Sequence, residues 1–343
     1  MSSYAFWNNK GGVGKSYLCF IASCEYAHRN PDVDVYVIDL CPQANVSETL
    51  MGGYATSPAL KNLAEQKERA TVAGYLEARL SSPFRPLEDV RPYVSHPVAT
   101  NDEIPKNLNL ICGDNLLEIL AEAIRQTSQL SVPVDAWKQV IGWVKDLAES
   151  LAGLSGDRSA VFMIDCNPSF AIYTQLGLAA AHNIVVPFTA DDSSRRAIEN
   201  VLALTYGVGD DHIAAYSRIN FSRRASNEGV SVPLLHTFGS NRVTYYENKA
   251  SKAFQAATNN IQGTLRKIHT QYPHVFSNPA SDPISSFVTV PDYHSACIVS
   301  SMKGIPLHKL MAGPQNVADE RVQINVGPLT RYRNALENFV NAL

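Results

Sequence analysis

Tyr4-Ala5-Phe6-Trp7-Asn8-Asn9-Lys10-Gly11-Gly12-Val13-Gly14-Lys15-Ser16-Tyr17-Leu18-Cys19-Phe20-Ile21-Ala22 reads as three joined pieces: a short apolar strand, a glycine-rich loop, and a helix with few breakers. A phosphate-binding loop, G-x-x-x-x-G-K-[ST], needs this context. Asn9 stands where the pattern has its first glycine; Gly11, Gly12, Gly14, Lys15 and Ser16 remain. Glycines let backbone N–H groups turn towards phosphate oxygens, and the helix that follows adds its positive N-terminal end. Lys15 would neutralise phosphate charge and the Ser16 hydroxyl would ligate Mg²⁺. The alternative, a glycine-rich turn with an incidental Lys-Ser, does not account for the strand and helix on either side.

Two further apolar runs end in carboxylates. Val35-Tyr36-Val37-Ile38-Asp39 continues into Leu40-Cys41-Pro42-Gln43-Ala44-Asn45, and Ala160-Val161-Phe162-Met163-Ile164-Asp165 into Cys166-Asn167-Pro168-Ser169. An Asp at the C-terminal end of a parallel strand beside a phosphate loop is placed to bind Mg²⁺ through water, or else to cap the next helix.

Lys10-Gly11-Gly12-Val13-Gly14-Lys15-Ser16 is the deviant Walker A motif, and the chain resembles the ParA/MinD family of partition and positioning ATPases. The resemblance covers roughly residues 1–50, 105–205 and 230–310. It implies Mg²⁺ and ATP as ligands. It makes Lys10 the signature lysine that reaches a partner copy's nucleotide across a dimer, as an arginine finger does elsewhere. It assigns catalysis to Lys10, Lys15 and Asp39, and nucleotide contacts to Lys10, Gly11, Gly12, Val13, Gly14, Lys15, Ser16, Tyr17, Asn241, Pro291 and Asp292. The metal falls to Ser16, Asp39 and Asp165.

The sequence departs from the family in three places. Cys41 replaces the second carboxylate of switch I, and a thiol is a poorer proton acceptor, so hydrolysis is expected to be slow. Tyr17 replaces the usual small hydroxyl residue after Ser16. Residues 50–105 form a long insertion, irregular where Pro83, Pro86, Pro92, Pro97 and Pro105 cluster.

The rest of the chain agrees with an α/β fold: a doubly wound, mainly parallel sheet flanked by helices, of P-loop NTPase type. Strands are predicted near 3–8, 34–39, 108–112, 160–165, 183–188, 233–238 and 286–290. Helices are predicted near 15–28, 59–80, 115–128, 134–153, 171–181, 194–206, 247–270 and 329–342. Residues 1–343 are expected to form a single ATPase domain that ends in a helical segment, 311–343.

Of 343 residues, 45% are hydrophobic and 18% charged, which excludes a disordered chain. The net charge of −3 excludes a polycation. Residues 210–343 nonetheless hold thirteen Lys/Arg against nine Asp/Glu, whereas 1–209 hold sixteen against twenty-three. Family members bind nonspecific DNA through C-terminal basic residues. The resemblance therefore offers Arg218, Arg223, Arg224, Arg242, Lys249, Lys252, Arg266 and Lys267, although solvated helix faces explain the same charges. Cys19, Cys24, Cys41, Cys112, Cys166 and Cys297 form no CxxC pair. The start Met1-Ser2-Ser3-Tyr4 shows no leader, no apolar run reaches 18 residues, and no basic amphipathic tail follows Leu336. The expected location is cytoplasmic, on the nucleoid if DNA is bound, with no membrane partner.

The expected partners are a second copy of the chain, nonspecific DNA, and a ParB-like or other adaptor protein. The competing reading is an ATP-dependent regulator or scaffold with little hydrolysis and no DNA binding. A metabolic P-loop enzyme is the third, and no substrate motif supports it.

Overall fold

The computed structural model describes all residues except 54–56, 67, 190, 210–220, 244, 247, 248 and 251, and leaves out the side chains of 57, 192 and 242–254. The predicted strands form one seven-stranded sheet. They are β1 (Ser2–Phe6), β2 (Val33–Leu40), β3 (Leu108–Ile111), β4 (Ser159–Cys166), β5 (Asn183–Thr189), β6 (Leu234–Val243) and β9 (Phe287–Pro291). Their order is β3-β2-β4-β1-β5-β6-β9, and every neighbouring pair is parallel. Such a sheet must be covered on both faces, which is why its strands are continuous apolar runs rather than alternating ones.

Side chains alternate between the two faces with period two. Ala5, Trp7, Ile38 and Ile164 face one core; Tyr4, Phe6, Val37 and Met163 face the other. The first core is closed by α4 (Val72–Ser81), α5 (Leu116–Thr127), α6 (Ala136–Ile141), α7 (Trp143–Leu154), α8 (Ile172–Ala180) and α9 (Asp192–Tyr206). The second is closed by α1 (Lys15–Arg29), α12 (His294–Lys303) and α13 (Val326–Asn341). Trp7, Trp143, Phe20 and Phe339 are fully buried, and each such side chain contributes about 1.5–3 kcal/mol to folding.

Several helices differ from the sequence expectation. The stretch 59–80 is two helices, α3 (Ser57–Glu65) and α4. The Thr71 hydroxyl accepts from Gly74 N and donates to Asp114, so it caps α4 and tethers it to the loop after β3. The stretch 134–153 divides at Gly142 into α6 and α7. The helix predicted over 247–270 is α11, Lys252–Gln271; α10 (Phe221–Glu228) precedes it, and short strands β7 (Tyr245–Tyr246) and β8 (Lys249–Ala250) lie between. Within 311–343, helix is replaced at first by a hairpin, β10 (Gly313–Val317) and β11 (Glu320–Ile324). Its two turn residues, Ala318 and Asp319, both have positive φ, the geometry of a two-residue hairpin turn. Ala-Asp carries none of the usual Asn-Gly signal, so the turn was not legible in the sequence.

The proline-rich stretch 82–105 is irregular, with two short 3-10 turns, Arg91–Tyr93 and Pro97–Ala99. Ser95 exchanges backbone hydrogen bonds with Leu110 and so covers the open edge of β3.

Candidate functional site

The order β2-β4-β1-β5 places the loops after β1, β2 and β4 side by side at the C-terminal edge of the sheet, where α/β folds bind ligands. The loop between β1 and α1 is held from both sides. Asn8 is buried; its side-chain Oδ1 accepts from Lys10 N at 3.0 Å and its Nδ2 donates to Pro187 O at 2.8 Å. Gly12 and Gly14 have φ of +73° and +80°, a left-handed backbone that other residues adopt only with strain. Asn9 is not among the positive-φ residues, so the position where the general pattern has glycine needs none here. A Cβ at Gly11 or Gly12 would meet nothing within 4 Å, so the loop opens onto free space.

That space is a cleft of about 740 Å³. Gly12, Gly14, Lys15, Ser16 and Tyr17 line one wall, Cys41, Gln43, Asn45, Glu48 and Thr49 a second, and Asn167, Cys297 and Ser301 a third. The second wall belongs to α2 (Asn45–Leu50) and the loop before it. Lys15 is 6% exposed, and its ammonium donates to Lys10 O at 3.0 Å. Burial lowers its pKa, and nearby Asp165 partly opposes that.

Beneath the cleft lie two carboxylates. Asp39 and Asp165 are register partners on β2 and β4, and both are completely buried. Asp39 has all the partners it needs: Oδ1 accepts from Cys41 N (2.9 Å), and Oδ2 from Ser47 N (3.1 Å) and Ser47 Oγ (2.7 Å). Asp165 accepts no well-formed hydrogen bond on either oxygen among the described residues, although the Ser16 hydroxyl lies close enough to act on it. Burial raises both pKa values, and the neighbouring Asp39 pushes Asp165 further up, while Ser16 and Lys15 pull the other way. A fully buried carboxyl without a partner is unusual and costly in its ionised form.

This is the observation that tests the implied metal. An unpartnered carboxylate and a serine hydroxyl at the first helical turn are the oxygen donors that suit Mg²⁺ beside a phosphate, and the buried Lys15 ammonium would face the phosphate and not the ion. Asp165 and Ser16 would hold the ion, and Asp39 is already committed to the turn that shapes switch I.

A pH dependence follows. Both acids bind protons more tightly in the folded chain than in the unfolded one, so folding stability is fullest at low pH and falls as pH rises. The loss should run from about pH 4, the ordinary carboxylate value, to about pH 8, where Asp165 ionises after Asp39. Denaturation of the nucleotide-free protein across that window should show it, and a flat profile would contradict it.

Lys10 behaves differently from the rest of its loop. It lines a second cleft, about 1080 Å³, between α9 and α11, together with Asn9, Arg195, Arg196 and Lys267. Its ammonium donates to Asp191 Oδ2 at 2.6 Å, Thr189 Oγ1 at 3.1 Å and Ser194 Oγ at 3.4 Å.

The other predicted contacts are placed as follows. Tyr17 packs edge-on against Tyr293 at 5.7 Å. Asn241, at the end of β6, donates to Val13 O at 2.9 Å and thereby steadies the phosphate loop. Asp292 accepts from His294 N at the start of α12, and Pro291 pairs with Val243. Of the basic residues, Arg224 pairs with Glu228 and lies over the Trp137 ring, and Arg266 pairs with Asp282. Arg223 and Lys267 are exposed. Arg218 and the side chains of Arg242, Lys249 and Lys252 lie outside the described residues. Glu48, Thr49 and Ser301 line the cleft without any expectation from the sequence, and Gln43 and Cys297 line it without having been given a role there. The α2 residues follow the switch I motif and had a local signal; the α12 residues had none.

A family model described as an AAA domain matches residues 1–212. No curated protein matches the chain. Among solved structures, a Cyanothece McdA–ATP complex shares 14% identity and a TM-score of 0.59, over 100% of this chain and 96% of that one. A putative plasmid partition protein from Borrelia burgdorferi bound to AMPPNP shares 14% and 0.54, over 100% and 99%. A Corynebacterium diphtheriae protein shares 17% and 0.58, over 89% and 97%. These likenesses carry the fold, and no helix among the described residues is long and apolar enough to cross a membrane. With a phosphate loop and two strand-end carboxylates in this chain order, and a family match over more than half its length, the chain belongs to this AAA-domain family of P-loop ATPases, of the ParA/MinD type.

Proposed function

We propose that this protein binds Mg²⁺-ATP in the cleft above Asp165, dimerises around the nucleotide, and works in DNA partition or in the positioning of another cargo. The observation that carries this reading is the split between its two loop lysines. Lys15 lines the cleft above its own phosphate loop, while the Lys10 ammonium lies outside that cleft, in the one between α9 and α11, and so is not spent on its own nucleotide site.

In this reading the backbone N–H groups of residues 12–16 and the α1 N-terminus receive the phosphates. Lys15 exchanges the Lys10 carbonyl for phosphate oxygen. Mg²⁺, when bound, supplies charge neutralisation on the phosphate oxygens. Lys10 of each copy adds positive charge to the other's transferred phosphoryl group. Asn241 keeps the loop in shape, and Asp39 keeps switch I closed over it.

The test is particle mass in solution with ADP or ATP. ATP should double the mass of the wild-type chain, and ADP should not. Lys10→Ala should still bind ATP but need at least about tenfold more protein to dimerise, the loss expected for a charge-assisted contact. An ATP-saturated wild-type chain that stays monomeric would sink the proposal.

The second reading, an ATP-held scaffold with little hydrolysis, has its own supporting observation. Cys41 is 6% exposed, and burial followed by Asp39 and Asp165 pushes its thiol up to about 12. Such a thiol takes no proton from water at neutral pH. Binding of nonspecific DNA separates the readings. In the first it requires ATP and weakens steeply between about 50 and 200 mM salt; in the second it is absent.

A further inference from the structure

We infer that Gly113 and Asp114, in the loop after β3, are positioning residues for switch I, and that residues 69–72 of the 50–105 insertion hold them there. As a brace on the turn, this rests on the contacts alone; as a brake on hydrolysis, it rests on the proposed ATPase reading.

Ser47 is fully buried, and its hydroxyl is used on both sides. Oγ donates to Asp39 Oδ2 at 2.7 Å and accepts from Gly113 N at 2.8 Å. The loop after β3 thereby reaches, through one side chain, the acid that shapes switch I. It also meets that turn directly. A Cβ at Gly113 would lie 2.7 Å from Asp39 Cγ and 2.9 Å from Cys41 O, closer than packed atoms allow. Gly113 is not among the positive-φ glycines, so glycine stands here for close approach of the backbone and not for its conformation.

The insertion holds this loop from the other side. Asp114 is buried; its Oδ2 accepts from Arg69 Nη1 at 2.6 Å and Thr71 Oγ1 at 2.8 Å, and its Oδ1 from Leu116 N at 2.9 Å. Val72 N donates to Cys112 O at 2.8 Å. Arg69, Thr71 and Val72 thus fix residues 112–114 on one side, while Ser47 and Asp39 stop them on the other. The Arg69–Asp114 contact is charge-assisted and is the strongest of these bonds. The insertion is therefore built into the nucleotide site. If its Arg69–Val72 stretch shifts, Gly113 withdraws from Ser47, and Asp39 loses the hydrogen-bonded turn that carries Cys41.

The cysteines provide the test, because all six are free thiols and only Cys297 is not buried. The nucleotide-free full chain is treated with iodoacetamide at about pH 8, near the ordinary thiol pKa, and each cysteine is scored by peptide mass. Cys41 reports the switch I turn and Cys297 is the accessible reference. Cys19 and Cys24, fully buried in the second core, report global unfolding. The Arg69 side chain is 28% exposed, so Arg69→Ala spares the core. It should raise Cys41 labelling relative to Cys297 about tenfold, the change expected when a hydrogen bond to a charged group is lost, with Cys19 and Cys24 unmoved. Arg69→Lys should return most of that protection. Gly113→Ala should expose Cys41 as well, by wedging the turn open. Unchanged Cys41 labelling in Arg69→Ala overturns the link to the insertion, whatever Gly113→Ala does. Cys41, Cys19 and Cys24 rising together overturns it too, since Arg69 then only stabilises the fold. With Mg²⁺-ATP, both variants should keep the wild-type KM, because the phosphate loop is untouched, and lose about tenfold in kcat, within the cost of a misplacement of about 1 Å. Raised Cys41 labelling with unchanged kcat overturns the positioning role. If the wild-type chain hydrolyses no ATP while Arg69→Ala still exposes Cys41, the brace stands and the ATPase reading fails.

Discussion

Asp165→Asn is expected to remove Mg²⁺-dependent nucleotide hydrolysis while making the nucleotide-free protein more stable at pH 8. The two effects share one cause. Asp165 is fully buried with both oxygens unpartnered, next to a second buried carboxyl. At pH 8 its ionised form is the costly one, because burial and Asp39 both oppose the charge. Asn has nearly the same shape and no charge, so it relieves that cost. The gain should be about 1–3 kcal/mol at pH 8, the usual penalty for an unsatisfied buried group, and should shrink towards pH 5 as Asp165 protonates. Thermal unfolding at the two pH values measures it. The same substitution takes away the anionic ligand that would hold the metal. Hydrolysis should fall by about 10²–10³, the loss seen when one fixed electrostatic contact to a transition state is deleted. Protection by ATP with Mg²⁺ should shrink to that by ATP alone. An Asn variant that is less stable at pH 8, yet still stabilised by Mg²⁺, would show that Asp165 is a structural acid and not a ligand.

The second large effect is a gain. Cys41→Asp should raise phosphate release at least about tenfold, since a positioned proton acceptor contributes roughly 10²–10⁴ to such reactions. Cys41 lines the cleft, its backbone N–H donates to Asp39, and the Asn167 amide lies 3.9 Å from its sulfur. A carboxylate there would have a donor to orient it. It would also be the third acid in one small volume, so the nucleotide-free variant should unfold earlier than wild type at neutral pH. Mg²⁺-ATP should recover that loss. Cys41→Ser is the control, with similar size and no added base, and should leave the rate near wild type. If Asp and Ser behave alike, the cysteine is not what limits turnover.

Both expectations rest on residues that were legible without a structure. Lys10, Lys15, Ser16, Cys41 and Asp165 stand in or beside motifs whose spacing alone locates them. The seven strands were equally legible, because a parallel strand covered on both faces must be apolar throughout. The positions that escaped depend on neighbours far along the chain. Asp39 and Asp165 look alike in sequence, each closing an apolar run. Cys41 N and the turn that brings Ser47 back give Asp39 its partners, and no comparable turn reaches the Asp165 oxygens. The hold on Lys10 comes from a residue 181 positions away, and the third wall of the cleft comes from a helix that begins at His294.

The sequence by itself determined the phosphate loop, the order of strands along the chain and the family. Each of these follows from local demands: glycine where φ must be positive, apolar runs where both faces are buried, a carboxylate where a strand ends. The tertiary structure decided which buried acid is hydrogen-bonded and which is left without partners, which way each loop lysine points, and what holds it there. Those depend on strand register and on side chains meeting across the fold, which spacing along the chain does not encode.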